Sequence, residues 1–243
     1  MSLLGKGAVL VWCDIDPAAA DEHERWHSYE HIPERLGVPG YLRVRRGISP
    51  DQGAPRIFVL YEVRDLDVVL SPAYMQRLNS PSAWTTRMMR SVQRLNRTPC
   101  RVSGSFGTGI GSHVAAIRIS PEPVGASRLR HWLLAGLLPQ VAGLPGVVGV
   151  HLLEADAAAR GPNTREQALR GKRDEAADWV IVLEGFDRAA IREIPASHLA
   201  VELVAHDDVR GDIAVSVYEL VHIAGAEDLA SVPVAQVPVF GSA

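Results

Sequence analysis

Cysteine is scarce in this chain of 243 residues: two thiols, Cys13 and Cys100, cannot build a disulfide framework, so a reducing cytoplasm is the expected setting. No apolar run approaches the ~20 residues of a membrane span. The start, MSLLGKGAVLVWCDID, reads as a strand rather than a charged leader with a cleavage site. A net charge of −3 gives no reason to expect nucleic acid or an anionic membrane as partner. Neither cysteine sits in a nucleophile motif, there is no Ser-His-Asp elbow, and no dinucleotide fingerprint follows a strand. The Gly-rich GSFGTGIG at 104–111 lacks a following Lys-Ser/Thr and precedes a strand, so it reads as a linker rather than a phosphate loop. Arginine far outnumbers lysine, a compositional bias without functional meaning. What is present is ordinary for a globular protein, 47% hydrophobic and 22% charged, and long enough for one large domain or two small ones.

In chain order, GAVLVWCD (7–14) is a buried strand, and Asp16-Pro17 caps a helix through AAADEHERWHSYEHI that Pro33 and Gly37 end. Strands follow at 41–48 and 56–63. A helix broken near Ser71-Pro72 and Ser80-Pro81 fills 65–95, and a fourth strand covers 98–106. The same order then starts again. Shifted by 106 positions, Pro17 falls on Pro123, Trp26 on Trp132, Pro33 on Pro139 and Pro39-Gly40 on Pro145-Gly146. The third strand recurs as WVIVLEG at 179–185, with Glu62 matching Glu184 and Asp65 matching Asp187. The chain reads as a tandem duplication.

Each half is thus β-α-β-β-α-β, the ferredoxin-like pattern, with helices on one face of a four-stranded sheet. Its other face needs a cover, and two copies in one chain can cover each other. The expected fold is α+β, two tandem ferredoxin-like repeats around a barrel-like core. The expected boundaries are 1–108 for the first repeat and 109–243 for a degenerate second repeat with a C-terminal arm. That arm, with SVPVAQVPVF, and the outer faces are two surfaces through which a homodimer could form.

Chemistry gathers at Trp26 to Gly47, WHSYEHIPERLGVPGYLRVRRG, where a helix of histidines hands over to a strand of arginines. HIPERLGVPGYLRVRR in this frame resembles the EthD-like and related members of the dimeric α/β-barrel superfamily, which carry a helix-end histidine shortly before a Pro-Gly turn. The resemblance covers both halves as fold and only 26–47 as motif. It implies one of several chemistries: cofactor-free oxygenase, polyketide cyclase, isomerase, dehydratase or haem enzyme. The family's helix-end histidine matches His31. The same position in the second half is Leu137, so a histidine-dependent site is expected once.

The halves serve as controls for each other. His23, His27 and His31 form one helical stripe whose counterparts are Leu129, Leu133 and Leu137, the pattern of a sheet-facing helix. They read either as surface or hydrogen-bonded histidines or, at His31, as a proton-moving group. At the end of a helix and partly buried, His31 is expected to titrate near neutrality. Metal would need two neighbouring histidines of the stripe plus a third nitrogen or a carboxylate such as Glu30, Asp14 or Glu34, and no motif fixes that set; none is expected, nor is a cofactor. His113 and His151 carry no mark of a haem ligand. Arg43 and Arg45 are assigned to the strand face of Tyr41, as ion pairs or as a grip on a substrate oxyanion; Arg45 and Arg46 also fit an exposed strand end. Trp12, Tyr29 and Tyr61 become Arg118, Ala135 and Leu183, which tilts them toward a pocket. Trp26 and Trp132 read as buried core. The charged stretch 157–178 reads as a solvated loop with a short helix, or a lid.

The expected site is therefore His31 as acid/base, with Trp12, His27, Tyr29, Arg43 and Tyr61 around a small hydrophobic, aromatic or polyketide-like molecule. The competing reading is a non-catalytic binding barrel. An apolar cavity reaching His31 favours the first and a solid core the second.

Overall fold

The structure, a computed structural model, describes residues 3–171 and 174–231. Among these, eight strands form one closed antiparallel barrel: β1 (Gly7–Ile15), β2 (Tyr41–Ile48), β3 (Ile57–Val63), β4 (Val92–Gly107), β5 (His113–Pro121), β6 (Val147–Ala155), β7 (Trp179–Gly185) and β8 (Val209–Gly225). Their order around the barrel is β1-β3-β2-β8-β5-β7-β6-β4. Each half supplies a ferredoxin-like four-stranded sheet, and its two edge strands pair with those of the other half, β2 with β8 and β4 with β6. No edge is left bare. The fold is α+β, a dimeric-α/β-barrel core closed within one chain.

Helices pack outside the barrel. They are α1 (20–36), α2 (Pro72–Asn79), α3 (Ala83–Ser91), α4 (126–142), α5 (Arg165–Arg170), α6 (188–204) and α7 (Ala226–Ser231). Asp16 caps the turn that leads into α1, its side chain accepting from the Ala18 amide. The chain breaks before Pro72 and Pro81, where the preceding serines take extended or turn conformations. Pro33 does not end α1. It lies inside the helix just after a π turn at His27–His31, and Pro139 lies just after the equivalent π turn at Leu133–Leu137 in α4. The widened turn accommodates a residue that cannot donate. Because both halves have it, the π turn belongs to the fold and does not mark a site. The Pro-Gly turns close with positive φ at Gly40 (98°) and Gly146 (85°), where a Cβ would meet Val68 at 2.5 Å or Ala190 and Asp187 at 2.8 Å.

Strand β4 is longer than expected and absorbs residues 92–95 from the helical stretch, residues 96–97, and Gly107 from the linker. Beyond β8 the backbone turns into α7 rather than extending from Gly225; the SVPVAQVPVF segment lies, from Val232 on, outside the described residues.

Alternation along β1 separates two cores. Leu10 and Trp12 point into the barrel with Phe58, Leu60, Val182 and Tyr218. Val9 and Cys13 point outward beneath α1. A third cluster, with Leu129, Leu133, Val141 and Leu183, lies beneath α4 and α6. Inside the barrel Arg45 ties the halves together. It stands between Glu62 (3.1 Å) and Glu184, and His151, the register equivalent of Arg45, donates through Nε2 to Glu184 (2.9 Å). Arg45 and Arg46 are buried, not an exposed strand end. A bulge between Tyr41 and Arg43 puts Tyr41, Val44 and Arg46 on the helix side and Arg43 and Arg45 toward Glu62, so Tyr41 does not share a face with the arginines.

Trp26 is buried: its indole donates to Thr85 Oγ1 (3.1 Å) and it packs on Met88 and Met89 of α3. Trp132 is only half-buried, its ring tilted against His206 at 4.5 Å and resting on the cluster beneath α4 and α6. Trp26→Ala should therefore lower stability by about 3–5 kcal/mol, as large core truncations do, and Trp132→Ala by clearly less. Urea melts of the two variants check this; equal losses would show that α3 does not cover Trp26 in solution.

Candidate functional site

Between α1 and the outward face of the first-half sheet lies a cavity of about 160 Å³. The sheet supplies its apolar floor through Val9, Val11, Cys13, Ile57 and Val59. One stripe of α1 supplies its polar wall: His23, His27, His31 and Arg35, spaced four residues apart. Tyr41, Tyr61 and Tyr74 complete it, and residues 160–164 with Glu166, Gln167, Arg170 and Asp174 form the roof. The charged 157–178 segment is thus not merely solvated. It leaves the second half, places α5 over the first half, and buries Ala159 and Glu166 there.

The second half is solid at the same places. The counterparts of the four stripe residues are Leu129, Leu133, Leu137 and Val141; those of Tyr41 and Tyr61 are Val147 and Leu183, and all six belong to or pack on one hydrophobic cluster. Six aliphatic side chains fill what the first half leaves hollow.

His27 and His31 are buried and stacked, ring centroids 5.4 Å apart, with Trp26 4.5 Å from His31. Arg46 Nη1 lies 3.4 Å from His27 Nδ1 and can only donate, so Nε2 carries the proton and donates to Tyr61 Oη at 3.3 Å. His27 is committed to the wall. His31 differs: its buried Nδ1 has no hydrogen-bond partner. Burial, followed by Arg35, lowers the His31 pKa well below the usual imidazole range, and burial with His23 and Arg46 does the same to His27. His23 is pushed down to about 4, by burial and then Arg46. The expected near-neutral titration of His31 is therefore corrected. The helix runs on to Leu36, so no C-terminal dipole favours the imidazolium. Burial thus favours the neutral imidazole of His31.

Arg35 was not foreseen. Its Nη2 donates to Glu166 Oε1 at 2.5 Å, its guanidinium lies 5.5 Å from the Tyr74 ring centroid, and its Nη1 is buried without a partner. The signal was available: the stripe of histidines extends one step further to Arg35, against Val141.

Of the expected site residues, His27, His31 and Tyr61 meet in the cavity. Trp12 does not; strand alternation turns it into the barrel, 5.7 Å from Phe58 and under the Arg118 guanidinium. Tyr29 is half exposed, on the outer side of α1. Arg43 is held by Glu62 through two bonds of 2.7 and 3.0 Å, the ion-pair reading. His113 bonds Ser112, and His151 is sealed between Ser105 and Glu184, so neither reaches the cavity. His31, Glu34 and Glu166 offer ligand atoms within 4.8 Å of one another. Yet Arg35 already bonds Glu166 and puts a fixed cation there, so the trio is not read as a metal centre. Both cysteines are free and buried, Cys13 toward the cavity and Cys100 inside the barrel. No helix among the described residues is long and apolar enough to cross a membrane.

The depressed histidines make stability sensitive to acid. The unfolded chain takes up imidazole protons near pH 6.5 while the folded one resists them, so stability falls as pH drops below 6.5. Each such histidine contributes a slope of up to ~1.4 kcal/mol per pH unit. His31→Leu should flatten this acid limb and leave the region above pH 7 unchanged in slope. Urea midpoints at pH 7.5 and 5.5 measure it; an unchanged limb would show that His31 titrates normally.

No protein-family profile and no curated sequence matches the chain. Solved structures do. An anthrone-oxidase-like protein superposes with a TM-score of 0.63 at 12% identity, over 93% of this chain and 96% of its own. A proposed monooxygenase from Lactobacillus acidophilus gives 0.58 at 10% identity over 90% and 96%, and one from Fusobacterium nucleatum 0.57 at 9% over 92% and 96%. At such identities the likeness establishes the fold, that of the dimeric α/β-barrel proteins.

Proposed function

We propose that the chain is a small-molecule enzyme that removes a proton from a hydrophobic, aromatic or polyketide-like substrate held under α1. The observation that carries this reading is the cavity itself: it reaches a buried, neutral His31 whose Nδ1 has no protein partner, where the other half packs Leu137. An uncharged imidazole with a free nitrogen in an apolar pocket is a general base awaiting a proton donor. The floor of valines and isoleucine accepts a ring face, and a cavity of this volume resembles the ~150 Å³ voids that take up benzene. Larger ring systems would protrude past the exposed residues 160–163. The structural neighbours, an anthrone-oxidase-like protein and two proposed monooxygenases, support chemistry of this kind.

Isomerisation, dehydration, cyclisation and cofactor-free oxygenation share one first step, transfer of a substrate C–H or O–H proton to a base, leaving an enolate or phenolate. His31 Nδ1 would take that proton. The pH dependence follows: with its pKa lowered, His31 stays competent through neutrality and loses function only on acidification.

The step can be observed directly. A panel of enolisable aryl ketones, anthrone among them, is incubated with the protein in D2O and deuterium incorporation at the acidic carbon is followed by NMR. Exchange should be accelerated by the wild type and abolished by His31→Leu, whose leucine reproduces the packing of the other half. Equal exchange in both proteins would remove the base role, and failure of the whole panel to bind or exchange would leave the binding-barrel reading in its place.

A further inference from the structure

We propose that Arg35 makes the cavity selective for anions, so that the ligand is a ring-sized aromatic acid or enolate whose oxygen takes the free Nη1. The inference rests on the cavity being the binding site and adds the charge of what it binds.

The guanidinium is a planar fork of N–H donors with no acceptor, so every amino group left in a dry interior needs an oxygen. Glu166 satisfies one arm at 2.5 Å; the other, Nη1, is buried and has nothing. The Arg35 side chain is 3% exposed, so water does not cover the deficit at the surface. The orphan arm belongs to a residue that lines the cavity. Glu166 thus holds the fork by one arm, and its position is fixed by α5, whose first turn is capped by Thr164. Such a preset donor loses little freedom when an oxygen arrives.

The surroundings favour negative charge as well. The lining contains Arg35, Arg97, Arg160 and Arg170 against two carboxylates, Glu166 and Asp174. Glu166 is matched to Arg35 and Asp174 to Arg170 (2.6 Å). Arg97 bonds only a neutral hydroxyl, Tyr74 Oη at 3.2 Å, among the described contacts. The histidines add no charge, because they are neutral. One negative charge on the ligand brings this enclosure closer to balance, whereas a neutral ring of the same shape leaves Nη1 unsatisfied. In the second half Val141 replaces Arg35, so the selectivity belongs to one site only.

The experiment compares benzoate and salicylate with the neutral isostere benzamide by isothermal titration at pH 7.5. The acids should bind the wild type at least tenfold more tightly. Arg35→Met alone would strand Glu166 in the interior and risks unfolding, so the decisive variant is Arg35→Met/Glu166→Gln, with folding verified by a urea melt. In it the preference should disappear. Arg35→Lys keeps the charge but loses the fork, and should lose most of the preference too. Equal binding of acid and amide by the wild type, or a preference that persists in the double variant, overturns the assignment of Arg35. If selectivity is absent while His31-dependent exchange remains, Arg35 fails alone; if both are absent, the cavity reading fails with it.

Discussion

Closure of the barrel is the constraint on which everything else in this molecule depends. A four-stranded ferredoxin-like sheet has one bare face and two bare edges. Here β2–β8 and β4–β6 pairing satisfies both edges of each sheet at once, and the bare faces become the inside of the barrel. Across the interior Arg45 meets Glu62 and Glu184, joining the two halves. A buried cation between two carboxylates is poor evidence of stabilisation for its own sake, but losing one partner would leave an uncompensated charge. The arrangement holds β2 against β7 across the barrel and so fixes the two helix layers relative to each other.

With the frame secured by backbone pairing and the barrel core, the two helix–sheet interfaces are free to differ. Under α4 and α6 the space is filled with leucine, isoleucine and valine. Under α1 the same positions carry imidazoles, a guanidinium and phenols around a void. Burying such groups costs stability unless partners are found. His27, Tyr61 and Arg46 find one another, and Trp26 finds Thr85. Among the residues that line the cavity, the buried atoms that find none are His31 Nδ1 and Arg35 Nη1. Buried atoms without a partner also occur elsewhere, at Trp12, Arg45, Arg46, Asp65, Trp84 and Tyr218, so it is the cavity beside His31 and Arg35 that sets these two apart.

Much of this was legible in the sequence. Recurring prolines, glycines and a tryptophan gave the register of the two halves because turns and helix entries tolerate few residue types. The histidine-versus-leucine stripe located the polar wall of the cavity because helical period is rigid. Three things were not legible, each for a physical reason. Trp12 was grouped with Tyr61 by its change between halves, yet change says nothing about face, and alternation along β1 puts Trp12 on the side opposite Cys13. The bulge after Tyr41 reversed the assumed face of Arg43 and is invisible in a strand's composition. Arg35 and Glu166 are 131 residues apart, and no local pattern announces that an inserted segment of one half will complete the other.

That last contact bears on why both halves share one chain. Two identical subunits would each need a cavity, a roof and a stabilising core in the same sequence. Joined covalently, the halves divide these demands. The second packs its own interface solid and sends 157–171 across to roof the first, with Glu166 aligning Arg35 and α5 lying on α3. The first half can then keep a cavity beneath α1 beside its own core of Ile32, Leu36, Val44 and Val68. The first half's cavity is consequently not a property of the first half alone: its polar wall is written in residues 23–35, but the position of its cation is set by a carboxylate of the other half.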